Sequence, residues 1–141
     1  MSTLSWNCRG LGQPQTIRML AELVNNKKPS FIFLIETLCS GSKLESIKRQ
    51  LDYDGLFVVK RVGRSGGLVL LWKAPSSVNL LKYANNFIDA EVEVPELGKW
   101  RLTGFMGVLS LAGAENHGIC SVYCRGRLLS RGFALVTLTI Y

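Results

Sequence analysis

The sequence predicts a single α/β domain built on a mixed, mostly antiparallel sheet with helices on one face. Three observations carry this reading. Two strand–helix units open the chain, successive strands without a helical stripe follow, and 48% hydrophobic against 19% charged residues over 141 positions supplies enough apolar surface for a packed core.

The elements follow in order. Leu4, Trp6 and Cys8 alternate with Thr3, Ser5 and Asn7, the period of a half-buried strand, and the run Gly10 to Pro14 then breaks it. Ile17, Leu20, Ala21 and Val24 recur at helical spacing, and Asn25, Asn26 and Pro29 close that helix. Phe31 to Ile35 is apolar at every position, as a strand covered on both faces requires, and it delivers Glu36 and Thr37 at its C-terminal end. Ser42-Lys43-Leu44-Glu45 has the form of a capping box, and Leu44, Ile47 and Leu51 form the buried stripe of a second helix. Phe57 to Lys60, Leu68 to Trp72 and Val78 to Tyr83 then read as neighbouring strands. Ile88 to Val94 alternates apolar with acidic residues and turns through Pro95 to Gly98 into Trp100 to Thr103, a hairpin. Beyond Gly107 the only acid is Glu115, and the uncharged run Phe133 to Tyr141 reads as a buried strand or an aggregation-prone end.

The 17 Lys and Arg against 10 Asp and Glu give a net charge of +7, which favours a polyanionic partner because each cation near a phosphate releases a condensed counterion. No apolar run approaches the roughly 20 residues that span a bilayer, so no membrane association is expected. The N-terminus lacks the pattern of a secretory signal. The expected compartment is therefore intracellular, nucleus or cytoplasm, where Cys8, Cys39, Cys120 and Cys124 stay as thiols.

Two positions stand out chemically. Asn7 lies where a strand enters a glycine-rich loop, the usual place for ligands in open α/β sheets, although an asparagine there also serves to satisfy local backbone groups. Glu36 follows five apolar strand residues, so its carboxylate either holds a divalent cation at the sheet edge or points into solvent from the following loop. Gly63-Arg64-Ser65-Gly66-Gly67 lacks a Walker lysine and precedes a strand, which makes it a hairpin turn and no phosphate cradle. His117, Cys120 and Cys124 invite a zinc reading, but a structural site wants four ligands and a second ligand pair is lacking.

The segments Leu4 to Gly12, Phe33 to Thr37, Gly63 to Trp72, Ile88 to Ala90 and Trp100 to Phe105, in that order, resemble the endonuclease domain of plant LINE-type non-LTR retrotransposons. That domain lies in the endonuclease/exonuclease/phosphatase superfamily, with the apurinic endonucleases and pancreatic deoxyribonuclease. The resemblance covers residues 1–107 and leaves 108–141 as an unmatched tail, out of frame or intron-derived. It implies the truncated half of a DNase-like four-layer α/β sandwich, with an uncovered sheet face through which copies would self-associate, and it implies no protein partner.

By the same resemblance Asn7 is a catalytic residue beside the scissile phosphate, Glu36 is a direct ligand of Mg²⁺ or Mn²⁺, and Arg9, Arg61 and Arg64 contact DNA. The Asp-x-Asn pair and the Ser-Asp-His ending of such enzymes have no counterpart here, and Met106 stands in Gly104-Phe105-Met106-Gly107 where the family has a tyrosine. The expected function is thus a degenerate Mg²⁺-dependent DNA phosphodiesterase of a retroelement, inactive as it stands and weak or deficient in metal binding. Two alternatives accompany it: a non-catalytic basic nucleic-acid-binding fragment, and a remnant without a biochemical role.

Overall fold

A computed structural model describes residues 2–63, 66–95, 97–106, 120–126 and 139–140, with the side chains of Phe105, 120–126 and 139–140 left aside. Two sheets and two helices form three stacked layers. The first sheet has the order β3-β4-β2-β1-β9, from β1 (Thr3–Asn7), β2 (Phe31–Ile35), β3 (Gly55–Val59), β4 (Leu68–Trp72) and β9 (Thr139–Ile140). Its β1 pairs parallel with β2 and β9, whereas β4 runs antiparallel to β2 and β3, so the sheet is mixed. The second is antiparallel in the order β5-β6-β7-β8, from β5 (Ser77–Ala84), β6 (Phe87–Val94), β7 (Gly98–Met106) and β8 (Cys120–Gly126). Both β8 and β9 come from the chain beyond Gly107; the rest of that stretch, including His117 and residues 133–138, lies outside the described residues.

The helices α1 (Pro14–Lys27) and α2 (Gly41–Gln50) cover one face of the first sheet. Leu20 and Val24 of α1 and Leu44 and Ile47 of α2 pack with Leu4, Trp6, Ile32 and Leu34, one alternate set of β1 and β2 side chains. The other set faces the second sheet: Phe31, Phe33 and Ile35 meet Ile88, Ala90, Val92 and Leu102. Period-2 alternation therefore splits a wholly apolar β2 between two cores, which is why it needs no polar face.

Several local expectations change. β1 is buried along Thr3 to Trp6 on both faces, because the second sheet covers the side that bears Thr3 and Ser5. The strand at Val78 to Tyr83 does not extend the β3–β4 ladder; as β5 it pairs with β6 in the other sheet. The capping box at Ser42 does not form, since Ser40 occupies the N-cap without a side-chain cap bond, Ser42 lies inside α2, and Glu45 pairs with Lys48 at 3.1 Å. The hairpin of β6 and β7 is present, with Ala90 opposite Leu102. Its outward side chains are polar: Asp89, Glu91 and Glu93 on β6, with Arg101 and Thr103 bonded to Asp89 and Lys99 to Glu91. No helix among the described residues is long and apolar enough to cross a membrane.

Candidate active-site edge

The parallel register of β1 and β2 sets Asn7 opposite Ile35, so both strands end together and Glu36 is the first residue beyond. Past this edge the two connecting loops stay laced. Cys8 N donates to Ile35 O at 3.1 Å, Gly10 N to Glu36 O at 2.7 Å and Leu11 N to Thr37 O at 2.8 Å. The loop before β4 joins them, because Thr37 N donates to Gly67 O at 3.4 Å. Backbone hydrogen bonds therefore fix the relative position of Asn7 and Glu36 through main-chain atoms rather than through a contact between their side chains.

The backbone here is bent sharply. Arg9, Glu36 and Leu38 adopt φ of 44°, 54° and 50°, in a region non-glycine residues rarely enter, and Gly10 and Gly67 lie at 97°. Such conformations persist only where the surroundings over-determine them, and they gather at functional sites. Asn7 Oδ1 accepts a bond from Arg9 N at 3.1 Å, closing an Asx turn. Its side-chain NH₂ remains available to donate to an incoming oxygen. Glu36 is half-buried and Thr37 buried.

The underside of the edge is apolar. Cys8 is buried, its Sγ donates to Ile35 O at 3.1 Å, and burial pushes its thiol up to about 12. Cys39 is half-buried, and burial raises its thiol too, opposed by the nearby Lys43 ammonium. Lys43 Nζ donates to Gly12 O at 2.7 Å, tying the start of α2 to the β1–α1 loop. Cys8 and Cys39 are free thiols. Arg9 and Arg61 are exposed, and Arg64 lies outside the described residues.

Among the described residues the edge presents one carboxylate, Glu36, one carboxamide, Asn7, and the exposed Arg9. No group of three or more His, Cys, Asp or Glu that could hold a metal ion occurs among the described residues. Mg²⁺ demands near-octahedral oxygen donors and is usually held through one or two carboxylates together with waters and substrate phosphates. The described residues do not by themselves fit a tightly held ion.

Sequence reasoning missed Thr37, which is buried between Glu36 and Gly67, and the Asp89 cluster. The signal for the second existed: Asp89 stands opposite Thr103 and two pairs from Arg101 on the same face, acid diagonal to base across a hairpin.

The chain matches the Endonuclease/Exonuclease/phosphatase family over residues 4–138, and it belongs to that family. Among solved structures it is similar to ANGEL2, a 2′,3′-cyclic phosphatase crystallised in complex with adenosine-2′,3′-vanadate, at 13% identity and a TM-score of 0.44. That similarity covers 86% of this chain and 40% of that one, so the chain spans less than half the length of that protein. None of the curated proteins matches it in sequence.

Proposed function

We propose that this chain is a DNA-endonuclease-type phosphodiesterase domain of LINE retroelement descent, which carries the Asn7 and Glu36 side of a Mg²⁺-dependent site and does not complete hydrolysis by itself. The observation behind it is the laced edge, where parallel register places Asn7 one step before Glu36 and strained loops hold both. In this reading Glu36 is the one carboxylate offered to a divalent ion, the Asn7 NH₂ donates to a phosphate oxygen, and Arg9, Arg61 and Arg64 line the DNA backbone. The retroelement assignment rests on the ordered segments within 1–107, and the boundary to 108–141 belongs to the same proposal.

Inactivity follows from the residues. The sequence contains no Asp-x-Asn and no Ser-Asp-His, so it lacks the groups that the resemblance assigns to orienting the water and to general acid–base help, help worth roughly 10²–10⁴-fold in rate. Incubation with supercoiled plasmid and Mg²⁺ is expected to leave the plasmid intact. Nicking that disappears in Glu36→Ala overturns the inactivity.

A second reading, a basic nucleic-acid-binding module, is favoured by the net charge of +7 and needs no metal. Its retention of labelled DNA falls steeply with salt, because counterions are released on binding. Binding equally strong at 50 and 200 mM salt, values of the order used to expose that slope, excludes it.

A further inference from the structure

At the opposite edge of the first sheet, away from Asn7 and Glu36, two adjoining clefts of about 470 and 340 Å³ share Lys28, Pro29 and Lys73. The larger lies between the C-terminal half of α1 and the turn from α2 into β3. Volumes of this order suit small ligands, for which the usual range is roughly 300–1,000 Å³. We propose that these clefts bind a phosphorylated nucleoside, with the phosphate between Lys28 and Lys73 and the base in the larger cleft.

Four features support this. First, the floor is apolar and fixed. Val24 and Leu51 contribute aliphatic surface, and Tyr53 is anchored because its buried hydroxyl donates to Pro29 O. Burial pushes that phenol up to about 12, so it stays a donor to Pro29 at any ordinary pH. Second, the backbone around the phosphate position is committed: Lys73 N donates to Ser30 O at 3.1 Å and Ser76 N to Lys73 O at 3.1 Å. Lys28 N donates to Val24 O at 2.8 Å at the end of α1, so the main chain of both lysines is hydrogen-bonded.

Third, the charge is unbalanced. The larger cleft faces one carboxylate, Asp52, whose side chain is 94% exposed and meets Lys73 Nζ only at 3.5 Å. Lys28 forms no ion pair among the described residues. Lys73 Nζ also stands 5.7 Å over the Tyr53 ring, so its ammonium reaches over the floor while the side chain stays exposed to solvent. Fourth, Asn25 and Gln50 stand on the wall, each offering a donor and an acceptor, the pairing that the edge of a base presents in return. An apolar floor, two carboxamides and two ammoniums are complementary to a flat heterocycle bearing a dianion.

The test uses the full chain and five probes: adenosine 5′-monophosphate, adenosine, inorganic phosphate, and a short single-stranded oligonucleotide with and without a 5′-phosphate. Calorimetry is expected to give adenosine 5′-monophosphate about tenfold tighter binding than adenosine or phosphate alone. The double variant Lys28→Ala, Lys73→Gln, which keeps an aliphatic stem over Tyr53, should weaken it about tenfold or more. Amide chemical-shift changes should gather at Lys28, Tyr53 and Lys73. An oligonucleotide that binds only with its 5′-phosphate identifies a strand end as the source, whereas its failure beside a binding mononucleotide identifies the free nucleotide; both support the site. Equal affinity for the nucleotide and phosphate, no binding at millimolar concentration, an unaffected double variant, or shifts centred on Asn7 and Glu36 each overturn it.

Discussion

A methyl built on Gly67 would lie 2.7 Å from Thr37 Oγ1, and the residue sits at φ 97°, so both space and backbone demand glycine where the β4 loop meets the Glu36 loop. Gly67→Ala is expected to cost about 1–3 kcal/mol, the scale of forced left-handed backbone. Gly63→Ala, with φ 69° but open space around it, should cost less; urea unfolding of the two variants separates clash from strain.

Asp89 tests electrostatics at the same scale. Hydrogen bonds from Arg101 and then Thr103 hold its carboxyl below the usual carboxylate range, against the opposing effect of burial. A folded value below the unfolded one means stability that is present above the ordinary Asp range and lost as pH falls through the folded value. Asp89→Asn is therefore expected to lower the urea midpoint most at neutral pH, with the difference from wild type closing in acid. A constant difference down to pH 2, well below the ordinary value of about 3.9, would contradict that. The two thiols differ as well. Because reactivity follows thiolate population and access, iodoacetamide at neutral pH should modify Cys39 well before the buried Cys8, as peptide mass spectrometry would show.

Among the elements, β2 and β4 each send alternate side chains into both cores. Phe33 fills the space over Gly104, where even a Cβ would meet its ring at 2.8 Å. Truncation by Phe33→Ala should cost about 3–5 kcal/mol. Gly104→Ala should cost about 1–3 kcal/mol through overpacking, read from the same unfolding curves. A mild effect of either would place the two sheets farther apart than the packing requires.

These elements also show what the sequence made legible. Unbroken apolarity in Phe31 to Ile35 announced burial on both faces, and the acid–apolar alternation of Ile88 to Val94 announced a hairpin with one polar face. Local periodicity carries no record of distant pairing, however. It could not show that β5 leaves the β3–β4 ladder for β6, nor that a second sheet buries Thr3 and Ser5. At α2 the serine that matched a capping pattern lost the N-cap to Ser40 two residues earlier, because either position can start the same apolar stripe. At the site edge, Asn7 and Glu36 were visible from strand endings, whereas Thr37 gains its importance only from Gly67, thirty positions along the chain in space-filling contact.

Across the whole molecule, family membership and the proposed incompleteness of the site are separate questions. The family match extends over residues 4–138, and the core of two sheets and one helical layer agrees with it. Among the described residues the strand-end edge offers one carboxylate, Glu36, and no cluster of metal-ligating side chains forms. A scaffold of this kind keeps its architecture because hydrophobic packing depends on many residues, while hydrolysis depends on a few placed groups that packing does not enforce.

Thermal unfolding of the full chain with and without 10 mM Mg²⁺ reads the completeness of that edge. An ion held by a lone carboxylate, with Kd of about 10 mM or weaker, stabilises by at most about 0.4 kcal/mol, or a rise in Tm of roughly 1–2 °C. We expect a shift no larger than this, little changed in Glu36→Gln. A rise of several degrees that vanishes in Glu36→Gln would show that further ligands complete the site, and would contradict the reading of an incomplete phosphodiesterase.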